Sequence, residues 1–314
     1  MKAIVATKLG GPGVLELREV PEPKCGPGEV LIDVEAAGVN FADTMITAGL
    51  YPGGPKPPFI LGLEFAGRAV GTGERVMGFA ANAFAERVAV PRKAALPIPE
   101  QWDMATAAAF PITYFTAYFA YWMAQVRAGQ TVLIQAVAGG VGTAAVEVGA
   151  QLGVSMFGTA SSDEKLAKVK ELGLHQGINY KKEDYVAAVR KLTNGKGVDA
   201  VFEMLGGAET VRGLQCLKPF GHMVIYGSAS GAPPQIDFLT MFHKNLSVHA
   251  LWLSQFKDER ELMMEAAQVM FGWAANGKLH PVVGHKLPLA QAGDALRLLL
   301  ERKNFAKVVL EVKR

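Results

Sequence analysis

The stretch TVLIQAVAGGVG, Thr131 to Gly142, decides how this chain is read. Its first half is short, apolar and rich in β-branched residues, the composition of a buried strand. It runs straight into Ala136-x-x-Gly139-Gly140-x-Gly142, and the glycines open a helical segment, GVGTAAVEVGAQLG. Glycine lets the backbone turn and approach a diphosphate closely. The helix N-terminus adds unbonded N–H groups and the positive end of its dipole. The pattern is not a full G-x-G-x-x-G, and glycines here would also serve close helix-to-strand packing. What lies downstream gives the turn its meaning.

Short apolar strands and helices keep alternating. VSMFGTA is followed by SDEKLAKVKELG, QGINY by KEDYVAAVRKLTNG, VDAVFEML by AETVRGLQCLKPFG, and then come HMVIYGSA and LSVHALWL. Such alternation implies right-handed crossovers and a parallel sheet with helices on both faces. Six strands in two halves is the doubly wound α/β pattern, whose first turn binds a dinucleotide.

The first third has a different texture. MKAIVAT, EVLIDVEAAGV, the pair EFAGRAV and GERVMGFA, and AFAERVAVP are strands broken by Gly and Pro, consistent with a partly open β-barrel. Asp103 is a potential helix N-cap, and Pro111 interrupts the helical stretch that follows. The tail has a long amphipathic helix, KDERELMMEAAQVMFGWAANGKL, a second helix, QAGDALRLLLERKN, and a closing strand, AKVVLEV. A discontinuous catalytic domain over 1–112 and 254–314, with the α/β domain 113–253 inserted, is the organisation this implies. No internal repeat is evident.

Half of the 314 residues are hydrophobic, enough for packed cores. The net charge of +3 is spread without a basic block, which argues against a nucleic-acid arm or a membrane-surface helix. Two cysteines, Cys25 and Cys216, make no disulfide framework and no Cys-x-x-Cys site. With no signal-like N-terminus and no apolar run of membrane-spanning length, the expected setting is the cytoplasm.

An NAD site places an acid at the end of the second strand, about 20 residues beyond the glycines. Thr159, Ala160, Ser161 and Ser162 stand there instead, followed by Lys165. Hydroxyls and an ammonium suit a 2′-phosphate, so the expected cofactor is NADPH. Asp163 and Glu164 read as first-turn helix residues.

With GGPGVLEL, GVNFADTMITAGLYP, AAAFPITYFTAY, AGQTVLIQAVAGGVGTAAVEVGAQLG, GTASSDEK, INYKKEDY, GHMVIYGSASG and the closing KVVL, the chain resembles the zinc-free medium-chain dehydrogenase/reductases of the quinone oxidoreductase (zeta-crystallin-like) group over essentially its whole length. The resemblance implies a GroES-like catalytic domain beside a Rossmann domain. It implies that Ala138, Gly139, Gly140, Val141 and Gly142 hold the diphosphate. Ser161, Lys165 and Tyr180 would line the adenosine 2′-phosphate pocket, and the Thr159 and Ser162 hydroxyls count among the cofactor-binding groups. Leu205 and Gly206, Ile225 to Ser228 with Tyr226 and Gly227, and Ala250, Leu251 and Trp252 would lie along the cofactor towards the nicotinamide. Asn40 and Thr113 would approach nicotinamide and substrate. Met45, at a cofactor-facing position, replaces a tyrosine that many relatives carry and makes the pocket there more apolar. The connection between AGRAV and GERV is shorter than usual, and Ala306 replaces a common glycine.

Zinc-dependent relatives carry a cysteine at the position of Asn40, a histidine at that of Leu63, and a four-cysteine lobe that is absent here. The six histidines show no ligand spacing, and no metal is expected. Without a Lewis acid, alcohol oxidation is poorly supported. Hydride transfer to a quinone, or to the β-carbon of an enone (2-alkenal), needs positioning and hydrogen-bond donors more than a strong acid. Asn40 could donate from its amide. Tyr51 could donate to the acceptor oxygen, or simply pack a Pro-rich turn. Asp43 reads as a turn or cap residue rather than a base. Two other readings stay open: a non-catalytic NADPH-binding protein, structural or RNA-binding, and a zinc alcohol dehydrogenase. The resemblance also implies a homodimer formed through the apolar edge strand LSVHALWL, since such an edge needs covering.

Overall fold

The computed structural model describes residues 1–256 and 258–312. The chain forms two compact units, one of Met1–Ile112 with Pro281–Arg314 and one of Thr113–His280. In chain order the first unit begins with β1 (Lys2–Ala6), β2 (Leu15–Glu19), β3 (Glu29–Val39), α1 (Phe41–Ala48), β4 (Phe59–Ile60), β5 (Glu64–Ala69), β6 (Arg75–Phe79), β7 (Arg87–Pro91), β8 (Leu96–Pro97) and α2 (Met104–Ala108). Helix α3 (Pro111–Met123) then leads to β9 (Thr131–Ile134), α4 (Gly140–Gln151), β10 (Ser155–Ala160), α5 (Asp163–Glu171), β11 (Gln176–Asn179), α6 (Tyr185–Leu192) and β12 (Val198–Glu203). Next come α7 (Ala208–Cys216), β13 (Leu217–Ile225), α8 (Phe238–Lys244), β14 (Ser247–Ala250), α9 (Leu253–Phe256) and α10 (Arg260–Ala275). The chain returns to the first unit with β15 (Val283–Pro288), α11 (Ala292–Leu300) and β16 (Lys307–Glu311).

Strand β3 is the spine of the first unit. Its start pairs with β7, its middle with β5 and its end with β16, all antiparallel. A seven-stranded sheet results, with a separate three-stranded sheet formed by β2, β1 and β4. This is the GroES-like barrel. Inward residues of the strands, Ile32, Val34, Phe65 and Val308 among them, close its core together with Ala292, Ala295 and Leu296 of α11. Register has a consequence at one end. Val39 lies opposite Val308, and Ala37 opposite Phe65. The end of β3 therefore meets the starts of β5 and β16, and Asn40, Glu64 and Lys307 arrive together. Gly38 makes room for them: a Cβ there would lie 2.4 Å from Glu64 Oε1 and 2.5 Å from the Ala108 carbonyl oxygen.

The second unit is a six-stranded parallel sheet in the order β11-β10-β9-β12-β13-β14, a Rossmann arrangement. Parallel strands all end on one edge, and the order reverses between β9 and β12. Apolar residues of β9, β12 and β13 pack with α6 and α7 in its core.

Three expectations need correction. The segment 254–280 belongs with the second unit, not the first. Phe256 stacks on Phe119 at 4.2 Å between ring centroids, and Trp273 lies 6.4 Å from Tyr118, so aromatic packing on α3 holds it. His280, at the end of this unit, donates its backbone N–H to Glu147 of α4 at 3.3 Å. The segment LKPFG is already part of β13, and α7 stops at Cys216. LSVHALWL is strand only to Ala250, and α9 begins at Leu253.

Replacing Gly38 by alanine forces backbone or carboxylate to move, so Gly38→Ala is expected to cost about 3 kcal/mol of stability in urea unfolding. A loss below about 0.5 kcal/mol would contradict the close approach.

Candidate functional site

In the second unit the candidate residues lie along the carboxyl edge of the parallel sheet. Gly139 caps α4 in extended conformation (φ −86°, ψ 176°) and has no side chain to occupy the helix's first N–H groups. Gly142 sits against the turn, where a Cβ would lie 2.4 Å from the Val137 carbonyl oxygen. Thr143 turns its hydroxyl back to the Gly139 and Gly140 carbonyl oxygens, at 3.2 and 3.1 Å. An uncapped N-terminus with a bare approach suits a diphosphate. Thr159 braces this turn from β10. Its hydroxyl accepts from Ala136 N at 3.3 Å, and its carbonyl oxygen accepts from Val137 N at 3.0 Å. Ala138 is buried, and Gly140 and Val141 are half-buried.

Ala160 pairs with Asn179, so Ser161 and Tyr180 leave neighbouring strand ends. Ser162 caps α5, its Oγ accepting from Lys165 N at 3.3 Å. The two acids that follow are engaged elsewhere. Asp163 accepts from Asn179 Nδ2 at 2.7 Å and pairs with Lys182, and Glu164 pairs with Lys168 at 2.8 Å. Lys165 is half-buried, and burial lowers its ammonium pKa. Hydroxyls and an ammonium, with neighbouring carboxylates already neutralised, form a donor set that fits a phosphate monoester.

Buried Glu203, at the end of β12, ties down the next loop. Its carboxylate accepts from Leu205 N at 2.6 Å, Gly206 N at 2.7 Å and the Thr210 hydroxyl at 3.3 Å. Burial raises its pKa against the pull of these donors. The Ser228 hydroxyl donates to the Ala232 carbonyl at 2.5 Å, and Leu251 N donates to Ile225 O at 2.8 Å. These bonds order Ile225–Ser228 and Ala250–Trp252 along the same edge. Gly227 and Tyr226 are half-buried there, and the Tyr226 phenol is pushed up by burial and by the Glu203 charge. Trp252 is exposed.

The first unit carries a buried polar network. Lys307 Nζ donates to Asn40 Oδ1 at 2.6 Å and lies 2.6 Å from Glu64 Oε1. Asn40 Nδ2 donates to the same Glu64 oxygen at 2.8 Å, and its other N–H faces the Gly38 carbonyl at a long 3.4 Å. Glu64 Oε2 accepts from Ile112 N at 2.7 Å. Lys307, Glu64 and Asn40 are 3%, 0% and 8% exposed. Asp43, in the first turn of α1, accepts from Asn40 N at 2.8 Å through Oδ2. Burial pushes Asp43 up to about 7, against the Asn40 N–H and the Lys307 charge, with Glu64 adding to the rise.

Of the residues expected near the substrate, Asn40 is locked into this network. Met45 is half-buried on α1, and Tyr51 packs half-buried against the barrel core. Thr113 is buried in α3 and belongs to the second unit. Glu64, Lys307 and Glu203 were not foreseen as site residues. Lys307 carried a clue, a lysine directly before the apolar run Val308, Val309 and Leu310 of the closing strand. Two histidines that looked isolated also meet: His222 Nδ1 and His249 Nε2 are 3.1 Å apart on β13 and β14. Among the described residues no three His, Cys, Asp or Glu side chains gather as a metal centre would need. The donors at Asn40 and Glu64 do not fit zinc, since the Lys307 ammonium already occupies both.

Comparison with known proteins places this geometry. Residues 26–100 match the alcohol dehydrogenase GroES-like domain, and residues 140–268 match the zinc-binding dehydrogenase model. A quinone oxidoreductase-like protein 2 homolog of Nematostella vectensis is 33% identical over 327 residues, covering 99% of this chain and 89% of that one. The chain belongs to the medium-chain dehydrogenase/reductase family of oxidoreductases. The quinone oxidoreductase of Thermus thermophilus, solved also in complex with NADPH, is 39% identical with a TM-score of 0.87, over 99% of this chain and 100% of that one. The human synaptic vesicle membrane protein VAT-1 homolog is 32% identical, over 99% of this chain and 86% of its own length. Among the described residues no helix is long and apolar enough to cross a membrane.

Asp43 has a raised pKa, so its contribution to stability is full below the ordinary carboxylate pKa of 3.8 and is lost as pH rises towards about 7. Asp43→Asn removes that titration and keeps an acceptor for Asn40 N. The variant is expected to gain roughly 2–4 kcal/mol relative to the parent between pH 4 and pH 7.5 in chemical unfolding. A constant difference across that range would show that Asp43 ionises normally.

Proposed function

We propose that this protein is a zinc-free, NADPH-dependent quinone reductase. The end of β10 carries the cofactor choice: Ser161, Ser162 and Lys165 follow it, Tyr180 follows the neighbouring strand β11, and Asp163 and Glu164 are paired to other lysines. A 2′-phosphate finds donors there, and a bare ribose finds no acid to accept from its hydroxyls. The Thermus relative, solved with NADPH, supports the same choice. The free cysteines, Cys25 exposed and Cys216 buried, are in keeping with a reducing, cytoplasmic setting.

Bound NADPH supplies the hydride. The chain's own residues do the rest. The Gly139–Gly142 turn receives the diphosphate, and Lys165 with the serine hydroxyls fixes the adenosine end. Ile225–Ser228 and Ala250–Trp252 hold the nicotinamide end through backbone groups ordered by Glu203 and Ser228. Asn40 is the amide donor and Tyr51 the phenol that donates to the acceptor oxygen as negative charge collects on it. Two electrons and one proton leave with the hydride, and a second proton comes from solvent through Tyr51, giving the hydroquinone. No Lewis acid is needed, because the accepting oxygen's charge is delocalised over the ring. An enone reductase would use the same groups, with hydride going to the β-carbon.

The protein is proposed to act as a homodimer. Strand β14 is the outer strand of the parallel sheet, and α8 beside it exposes Phe238, Leu239 and Phe242. An open edge flanked by apolar side chains is normally covered. Light scattering should give twice the chain mass, and Phe238→Glu with Phe242→Glu should give a monomer. A monomeric parent would dismiss the dimer.

Steady-state assays with a 1,4-naphthoquinone and with a 2-alkenal, each against NADPH and NADH, test the activity. Turnover is expected with the quinone and NADPH. Lys165→Ala should raise the NADPH KM roughly tenfold and leave NADH unchanged. No NADPH oxidation with either acceptor would defeat the reading, and activity confined to the alkenal would make it an enone reductase.

A further inference from the structure

Lys307, Glu64 and Asn40 close a ring of three hydrogen bonds in the interior of the first unit. Lys307 Nζ is 2.6 Å from both Asn40 Oδ1 and Glu64 Oε1, and Asn40 Nδ2 is 2.8 Å from that same carboxylate oxygen. Stability alone is a poor reason for such a pair. Removing two charges from water is costly, and apolar replacements of similar volume are often as stable. The arrangement does determine something else. An ammonium can only donate and a carboxylate can only accept. Asn40 must therefore turn Oδ1 to Lys307 and Nδ2 to Glu64, and a flipped amide would set donor against donor. The ring admits one orientation of the amide.

The ring also changes the amide as a donor. A cation on Oδ1 draws electron density from the amide nitrogen and strengthens its N–H groups, as hydrogen bonds in a chain polarise one another. One N–H is held by Glu64. The other faces the Gly38 carbonyl at 3.4 Å, a long contact that a better acceptor can replace. The second oxygen of Glu64 accepts from Ile112 N at 2.7 Å, the residue before Thr113 in the chain. One carboxylate thus holds Asn40 and the backbone that leads into Thr113.

We propose that Lys307 and Glu64 are positioning residues for hydride transfer, with Lys307 orienting and polarising the Asn40 amide so that its second N–H serves as a donor to the charge that develops on the acceptor. The inference rests on the proposed role of Asn40 in NADPH-dependent reduction. Neither residue touches cofactor or acceptor, and both act through Asn40.

The double variant Lys307→Met with Glu64→Gln removes both charges together, so no lone charge is left buried. It is expected to fold and, because the dinucleotide turn lies in the other unit, to bind NADPH by fluorescence titration within about twofold of the parent. Its kcat with the quinone should fall at least about tenfold while the NADPH KM stays put. A folded double variant with unchanged kcat overturns the proposal. If the double variant does not fold, Glu64→Gln alone decides in the same way, with a smaller fall in kcat expected and an unchanged kcat again overturning it. If the parent turns over neither acceptor, the functional reading fails, and the positioning claim is judged by nuclear magnetic resonance. The Asn40 side-chain amide, identified by its loss in Asn40→Ser, should give two widely separated, slowly exchanging protons in the parent. They should collapse towards ordinary asparagine values in the variant, and unchanged signals would overturn the positioning claim on their own.

Discussion

A lysine in a protein core needs its ammonium paired and hydrogen-bonded, and with Glu64 and Asn40 the first unit meets that need at Lys307. The residue opens β16, whose following positions Val308, Val309 and Leu310 are wholly buried. Pairing of β16 with β3 carries the ammonium inward with its strand. Its charge is met by Glu64, which the β3–β5 register brings to the same place, and by Asn40, the residue at which β3 gives way to α1. Gly38 lacks the side chain that would collide with the carboxylate. Asp43 is held close by and starts the helix. Barrel register, a helix start and a charge network are thus parts of one solution.

The second unit is governed by a simpler constraint. Parallel strands must all end on the same edge, so every loop after a strand opens there. The order of the sheet reverses between β9 and β12, which leaves room where the first turn faces the loop after β12. Within that frame the chain's own residues choose how the edge behaves. Thr159 braces the glycine turn, and Glu203 gathers the backbone N–H groups of Leu205 and Gly206. Both are buried polar groups whose bonds are spent on shape.

The legible part of the sequence was the local part. Alternating strands and helices follow from apolar spacing, and the glycine turn follows from its place after a strand. The missing acid after β10 could be read from the letters, because a ribose contact is a matter of one short segment. The unread part depends on distant pairings. Asn40 and Lys307 are 267 positions apart, and nothing near either one announces the other. The helix α1 hid for a different reason. Its residues, FADTMITA, begin with Asn40 as cap and carry Asp43 and two threonines, types that favour turns as readily as helix starts. The domain boundary was misplaced because the amphipathic pattern of α10 says that it has a buried face but not which surface it covers. The aromatic side chains of α3 decide that.

An internal ammonium at the end of β3 differs from a bound metal in a way that bears on the proposed chemistry. A metal ion offers open coordination positions and can polarise an oxygen directly. Lys307 has donors directed at Asn40 and Glu64 and is buried, so under the proposed role it would act on a ligand only through the amide. That is a weaker electrophile by far. It is adequate where the acceptor spreads charge over a conjugated system and inadequate where a localised alkoxide must be held. Under the proposed function, the acceptors suited to such a site are those that need orientation more than activation, as quinones and enones do.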